Sequence, residues 1–140
     1  MGAIELDPSS TEAANSVVNA DAFYTAEQDG LRYHWRGRVW LNPPYSSELI
    51  GKFCEKLAGH VTDGDVSEAI ALVNNGTETG WFNALISVAS AVCFPRGRVR
   101  FWSPIRESAT PLQGQAVIYF GPNVDKFRAE FAHIGWSAEL

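Results

Sequence analysis

Asn42, Pro43, Pro44 and Tyr45 end the apolar run Arg38-Val39-Trp40-Leu41 with an amide, two rings that lack an N–H and an aromatic face. Asn-Pro-Pro is a good turn former, and Tyr45 in such a turn can simply cover a core. The four residues also suit a more demanding piece of chemistry. The exocyclic amine of a nucleobase is a poor nucleophile, because its lone pair is delocalised into the ring. It becomes more tetrahedral, and more ready to accept a methyl group, when two acceptors hold its two N–H groups. The side-chain oxygen of Asn42 and the carbonyl of Pro43 can be those acceptors. The prolines fix φ and bring no donor to compete with the amine. The ring of Tyr45 offers a face to an unstacked base, a contact worth about 1–3 kcal/mol. A base inside a duplex must be extruded before such chemistry can reach it.

Other residues invite a chemical reading. Arg96, Arg98, Arg100 and Arg106 are four of the eleven basic residues. In an extended segment the first three share a side. That makes either a solvated strand face or an edge that touches phosphates, and the acidic remainder of the chain favours the phosphate edge. Arg32, His34, Arg36 and Arg38 extend the same patch. Asn74, Asn75, Thr77 and Thr79 form a polar loop that is either ordinary or functional. His34, His60 and His133 are scattered and make no ligand spacing with Cys54 and Cys93, so no metal is expected. The cysteines sit in apolar contexts and read as reduced core residues. The chain has no Gly-x-Ser-x-Gly elbow and no P-loop. Asp63/Asp65 and Glu5/Asp7 read as loop and strand-end charges.

The elements that must position these residues follow from periodicity. Ala3–Leu6 reads as a short strand ended by Asp7-Pro8, and residues 10–15 as a short helix or a loop. Ala22–Thr25 is a weak strand or turn signal, and Gln28-Asp29-Gly30 a turn. Arg38–Leu41 is a strand closed by the prolines. Ser46 or Ser47 is the expected N-cap of a helix carrying Leu49, Ile50, Phe53, Cys54 and Leu57 at helical spacing. Gly59 and Asp63-Gly64-Asp65 are its expected end. Ala69–Val73 has the continuous apolar character of a strand buried on both faces. A helix over Trp81–Ala89, with Trp81 in the core, precedes strands at Ala91–Phe94, Val99–Trp102 and Ala116–Phe120, and Val124–Ile134 is a closing helix. Strands alternating with helices predict an α/β domain with a mostly parallel central sheet. In such sheets ligands bind beyond the carboxyl ends of the strands, where Asp7, Asn42 and Asn74 fall.

The bulk numbers bound this reading. The chain has 140 residues, 46% apolar and 19% charged, which suits a single soluble domain over residues 1–140. Its net charge of −5 excludes a wholly basic nucleic-acid binder, so any DNA contact must be local. No apolar stretch is long enough to span a membrane, and the start lacks signal-peptide character, so a cytoplasmic protein is expected.

Asn42-Pro43-Pro44-Tyr45 resembles the (D/N/S)PP(Y/F/W) motif of amino-methylating DNA methyltransferases. "LDPSS" at 6–10, "FYTAEQDGL" at 23–31, "WRGRVWLNPPYS" at 35–46 and "RGRVRFW" at 96–102 are together similar to the compact phage-type DNA N6-adenine methyltransferase family. The resemblance runs from about Ile4 to Phe120. It implies a Rossmann-like methyltransferase fold, S-adenosylmethionine as methyl donor, double-stranded DNA as partner, and host-cell cytoplasm if the gene is a phage's. It gives Asn42, Pro43, Pro44 and Tyr45 the target-adenine site. Asp7 and Pro8 take the place of the acidic cofactor motif, and Asp29 is either a cofactor contact or a turn aspartate. The glycines that usually follow the acidic motif are replaced by Ser9-Ser10-Thr11. Family members usually carry a further segment ahead of this strand, including a Thr-Pro element and a helix, so a compact domain shortened at its amino terminus is expected. Cytosine-N4 transfer and a non-catalytic relic that binds DNA or a protein are the alternatives left open.

Overall fold

A computed structural model describes residues 2–97 and 114–140. The strand expected at Val99–Trp102, with Arg98, Arg100 and Arg106, lies outside the described residues. The described elements are β1 (Leu6–Asp7), α1 (Glu12–Val18), β2 (Ala22–Phe23), a 3₁₀ turn (Gly30–Arg32), β3 (Gly37–Leu41), α2 (Leu49–Asp63), β4 (Val66–Asn74), α3 (Gly80–Ile86), β5 (Ala91–Pro95), β6 (Gln115–Phe120), α4 (Val124–Phe131) and β7 (Gly135–Glu139).

The seven strands form one sheet in the order β2-β1-β3-β4-β6-β5-β7. β2, β1, β3 and β4 pair in parallel. β6 enters antiparallel between β4 and β5, and β7 adds antiparallel to β5. The sheet is therefore mixed, and the expectation of a mostly parallel one describes only the half from β2 to β4. The chain folds as α/β, and its sheet is compatible with a methyltransferase-like domain.

The pleat of β4 sorts the core into two faces. Ala69, Ala71 and Val73 face Phe53, Cys54, Leu57, Phe82 and Leu85 of α2 and α3. Ile70 and Leu72 face Phe127 and Phe131 of α4 on the other side. Both cysteines are buried and unpaired, as expected of core residues. Helix α2 buries Ile50, Phe53, Cys54 and Leu57, one stripe at helical spacing. Each large apolar side chain so buried contributes about 1.5–3 kcal/mol.

Two expectations about α2 are corrected. Neither Ser46 nor Ser47 caps it by a side chain; the N-cap is Glu48, and the Ser46 carbonyl accepts from the Leu49 and Ile50 amides. Gly59 lies inside the helix. The stop falls at the expected Asp63-Gly64-Asp65 cluster, on Gly64 at φ 84°, a left-handed conformation that glycine adopts without a Cβ clash. Segment 10–15 does open a helix, with the Thr11 hydroxyl accepting from the Ala14 amide. The closing helix ends at Phe131, short of Ile134, and the chain then forms β7.

Candidate active site

The chain leaves β1 toward β2 on one side and returns as β3 on the other. Loops beyond the carboxyl ends diverge at such a reversal and leave a crevice. A cavity of about 350 Å³ lies there, lined by Pro8, Ser9, Asp29, Gly30, Pro44 and Phe53 among others. A second cleft of about 280 Å³ is lined by Ser9, Asn42, Pro43, Pro44 and Tyr45. Ser9 and Pro44 line both, so the two spaces share a wall. The fold thus brings the Asp7-Pro8, Asp29 and Asn42–Tyr45 segments to one rim.

Asp7 ends β1 and is only 2% exposed. Its Oδ1 accepts from the Ser9 amide at 3.3 Å. Burial raises its carboxyl from 3.8 to about 6, against the lowering effect of hydrogen bonds from the Ser10 side chain and the Ser9 backbone. Among the described residues no basic side chain pairs with it. A buried acid without a counter-charge is costly, and such perturbed groups concentrate at functional sites. Asp7 directly precedes Pro8 and Ser9, which line the cavity; Asp29 is the carboxylate on the cavity wall. Asp29 adopts φ 59° and caps the 3₁₀ turn through the Leu31 amide at 3.2 Å.

The loop after β1 has no glycine, but the segment facing it does. A Cβ on Gly30 would fall well inside contact distance of the Pro8 carbonyl oxygen. Gly30 therefore permits the Asp29-Gly30 turn to pack closely on the backbone of the first loop, a contact within the protein itself. The Trp35 indole N–H donates to the Gly30 carbonyl at 2.9 Å and holds the turn in place.

At the second cleft Pro43 is fully buried, which fixes the turn, while Tyr45 is 38% exposed. The Tyr45 hydroxyl is the inward end. It donates to the Leu72 carbonyl of β4 at 3.0 Å and lies 3.4 Å from both Asn42 Oδ1 and Gln115 Oε1. Burial, reinforced by neighbouring Cys54, pushes this hydroxyl upward in pKa and keeps it a neutral donor. Gln115 starts β6, is 3% exposed, and donates its Nε2 to Asn74 Oδ1 on the paired strand. Asn42, Tyr45, Asn74 and Gln115 thus meet as one polar network across the ends of β3, β4 and β6. Gln115 was not singled out in the sequence, because one polar residue before an apolar run reads as a boundary. Its register opposite Asn74 exists only in the sheet.

The remaining candidates divide. Asn75 and Thr77 are exposed in the loop after β4, while the Thr79 hydroxyl accepts from the Phe82 amide and caps α3. Trp81 packs partly buried against the core, as expected. Arg96 is exposed just beyond β5 and donates from Nη2 to the His133 carbonyl at 2.7 Å. Arg38 is the second residue of β3, at the end of the sheet away from Asn42. Its Nε donates to the Ala3 carbonyl at 2.6 Å and its Nη1 is 3.9 Å from Glu5. Arg38 therefore ties down the amino-terminal segment. Among the described residues no helix is long and apolar enough to cross a membrane.

An α/β domain that gathers a buried acid, a close-approach glycine and a rigid Asn-Pro-Pro-Tyr turn on one rim is compatible with the methyltransferase class. The chain belongs to the DNA N-6-adenine-methyltransferase (Dam) family, whose profile matches residues 1–121. No curated protein matches the chain. DNA adenine methylation is the activity that membership indicates, with DNA as substrate and a methyl donor as co-substrate.

Proposed function

We propose that this chain transfers the methyl group of S-adenosylmethionine to the N6 amine of an adenine extruded from double-stranded DNA. The observation that carries the reading is the wall shared by the two cavities at Ser9 and Pro44. It lets donor and acceptor approach each other from adjoining spaces, and that proximity is the main catalytic term such a site can supply.

The residues present fit the donor. The first cavity has an apolar floor in Pro8, Pro44 and Phe53, a carboxylate on its wall in Asp29, and, in the residue before Pro8, the buried acid Asp7. The close contact of Gly30 with the Pro8 carbonyl, which a Cβ would break, holds the first loop against the Asp29 turn on this wall. S-adenosylmethionine, when bound, supplies an electrophilic methyl group on a positively charged sulfur. Asp7, Pro8 and Asp29 are the residues proposed to hold it, with Asp7 as a counter-charge.

On the acceptor side, Asn42 Oδ1 and the Pro43 carbonyl accept the two N–H groups of the target amine and draw it toward a tetrahedral shape. Pro43 and Pro44 keep those acceptors rigid, so little reorganisation is needed as charge develops. Tyr45, anchored by its hydroxyl to Leu72, presents its ring to the base. Arg96, Arg98, Arg100 and Arg106 are the proposed phosphate edge. Replacing Arg98 and Arg100 together flattens the slope of log K against log salt by about two units if both touch phosphate, as read by anisotropy titration of a short duplex.

The test of the activity is direct. A duplex containing both adenine and cytosine is incubated with the protein and S-adenosylmethionine, then digested for nucleoside mass spectrometry. N6-methyladenine is the expected product. N4-methylcytosine alone would move the target to cytosine. No methylated base, together with no calorimetric cofactor binding, would make the domain a non-catalytic relic.

A further inference from the structure

His34, His60 and Asp65 are far apart or unremarkable in the sequence, and their spacing gave no sign of a metal. The fold brings them together at the end of the sheet opposite Asn42. His34 precedes the buried Trp35 on the approach to β3. His60 is in the last turn of α2, and Asp65 follows the Gly64 stop and precedes β4. The Gly37 amide donates to the Asp65 carbonyl at 2.9 Å, which locks the start of β3 to the turn that carries the carboxylate.

The side chains converge on one point. His34 Nε2 lies 3.1 Å from Asp65 Oδ2, and His60 Nδ1 lies 3.6 Å from the same oxygen. One ligand atom from each residue falls within 4.8 Å of the other two. Ligand atoms around a tetrahedral zinc with bonds of about 2.0–2.1 Å are roughly 3.3 Å apart, so two of the three separations already match. The two imidazole rings are 4.5 Å apart and nearly perpendicular, at 82°. His60 Nδ1 is buried and makes no hydrogen bond. The His60 side chain is 16% exposed and its ring lies 6.2 Å from that of Trp35, so it is held by the core, while His34 and Asp65 are half-exposed. The two ring nitrogens can offer lone pairs to a cation, and the carboxylate offsets half of a divalent charge.

We propose that His34, His60 and Asp65 bind a divalent first-row transition metal, with zinc the best fit to two nitrogens and one oxygen, and that solvent completes the coordination. The site joins the end of α2 to the starts of β3 and β4. It lies away from the Asn42 rim, so its effect is on the rigidity of the two strands that carry the active-site loops and not on the methyl transfer step. This inference stands apart from the proposed activity and is tested without it.

The experiment uses the full chain without a histidine tag, stripped with a chelator. Zinc is titrated against a chromophoric competitor, with native mass spectrometry for stoichiometry. One zinc per chain is expected. His34→Ala and Asp65→Asn, both at half-exposed positions that tolerate change, are each expected to weaken binding by about tenfold or more. Loss of a supporting residue alone costs 10- to 100-fold at metal sites, and loss of a ligand costs at least as much. His133→Ala is the control and leaves affinity unchanged. Zinc raises the melting temperature of the wild type and not of His34→Ala. Absence of stoichiometric zinc binding by the wild type overturns the proposal. So does wild-type affinity in both His34→Ala and Asp65→Asn, which would put the metal elsewhere.

Discussion

The half of the sheet from β2 to β4 and the half from β6 to β7 are built from similar strands but are used differently. In the first, every strand runs the same way, so the ends of β1, β3 and β4 deliver Asp7, Asn42 and Asn74 to one rim. In the second, neighbours run in opposite directions, and their contacts with that rim are single residues: Gln115 where β6 begins and Arg96 just past β5. The second half instead buries polar groups in a structural contact with the opposite end of β4, where the Tyr119 hydroxyl donates to Glu68 and accepts from the Asn123 amide at 3.0 Å. Parallel pairing concentrates chemistry at one end of a sheet, and antiparallel pairing divides it between both ends.

If that division is correct, substitutions in the first half should change cofactor and base handling, and those in the second, apart from Gln115 and Arg96, should change stability alone. The largest expected effect is at Asp7. Its carboxyl is raised from 3.8 to about 6, so its contribution to stability is fully present below about pH 4 and is lost as pH rises through 6. The shift of about 2 units corresponds to about 3 kcal/mol. Denaturant unfolding of Asp7→Asn across pH should lack this loss and show a more stable protein at neutral pH. Cofactor affinity should move the other way. A bound cation favours ionised Asp7, so wild-type affinity should rise with pH through about 6, and the rise should vanish in Asp7→Asn.

A smaller effect separates two glycines. Gly30→Ala forces a Cβ against the Pro8 carbonyl and should cost about 1–3 kcal/mol, with loss of cofactor binding. Gly59→Ala, where a Cβ meets nothing within 4 Å, should stabilise α2 by about 0.5–1 kcal/mol and leave binding alone. Equal effects in the two variants would remove the Pro8–Gly30 contact from the cofactor account. The smallest effects compare two tyrosines. Tyr45→Phe should lose about 1 kcal/mol of stability with its hydrogen bond to Leu72, while retaining most base engagement through the ring. Tyr45→Ala should weaken that engagement by about 1–3 kcal/mol. Tyr119→Phe should alter unfolding and leave methyl transfer unchanged. A transfer defect in Tyr119→Phe would break the division between the halves.

The rim position of the candidate residues was legible because they follow strand ends directly. Asn42 and Asp7 come straight after or at the end of short apolar runs, and a parallel sheet turns that position in sequence into a place at the rim. The α2 stripe was legible from spacing and its end from Asp63-Gly64-Asp65, but Gly59 was wrongly read as part of that end. Gly59 costs a helix about 1 kcal/mol, which the flanking buried Leu57 and the partly buried Val61 readily offset. Gly64 stops the helix because its φ is positive. β7 was missed because Gly135-Trp136-Ser137-Ala138-Glu139 has no strong apolar alternation, and pairing with β5 is what makes it a strand. Gln115 and the His34, His60 and Asp65 group were missed for the same reason. Each depends on contacts between segments distant in the chain, and local patterns carry no trace of them.

The central claim is that Asn42 acts on the amine and not on the cofactor. Asn42→Ala tests it when single-turnover methyl transfer to an adenine-containing duplex and calorimetric S-adenosylmethionine affinity are measured on the same preparation. Loss of one preorganised group at a reacting centre costs about 100- to 1,000-fold in rate. The account predicts a loss of that size with cofactor affinity and melting temperature unchanged. Transfer at the wild-type rate, or a loss explained wholly by weaker cofactor binding, would contradict it.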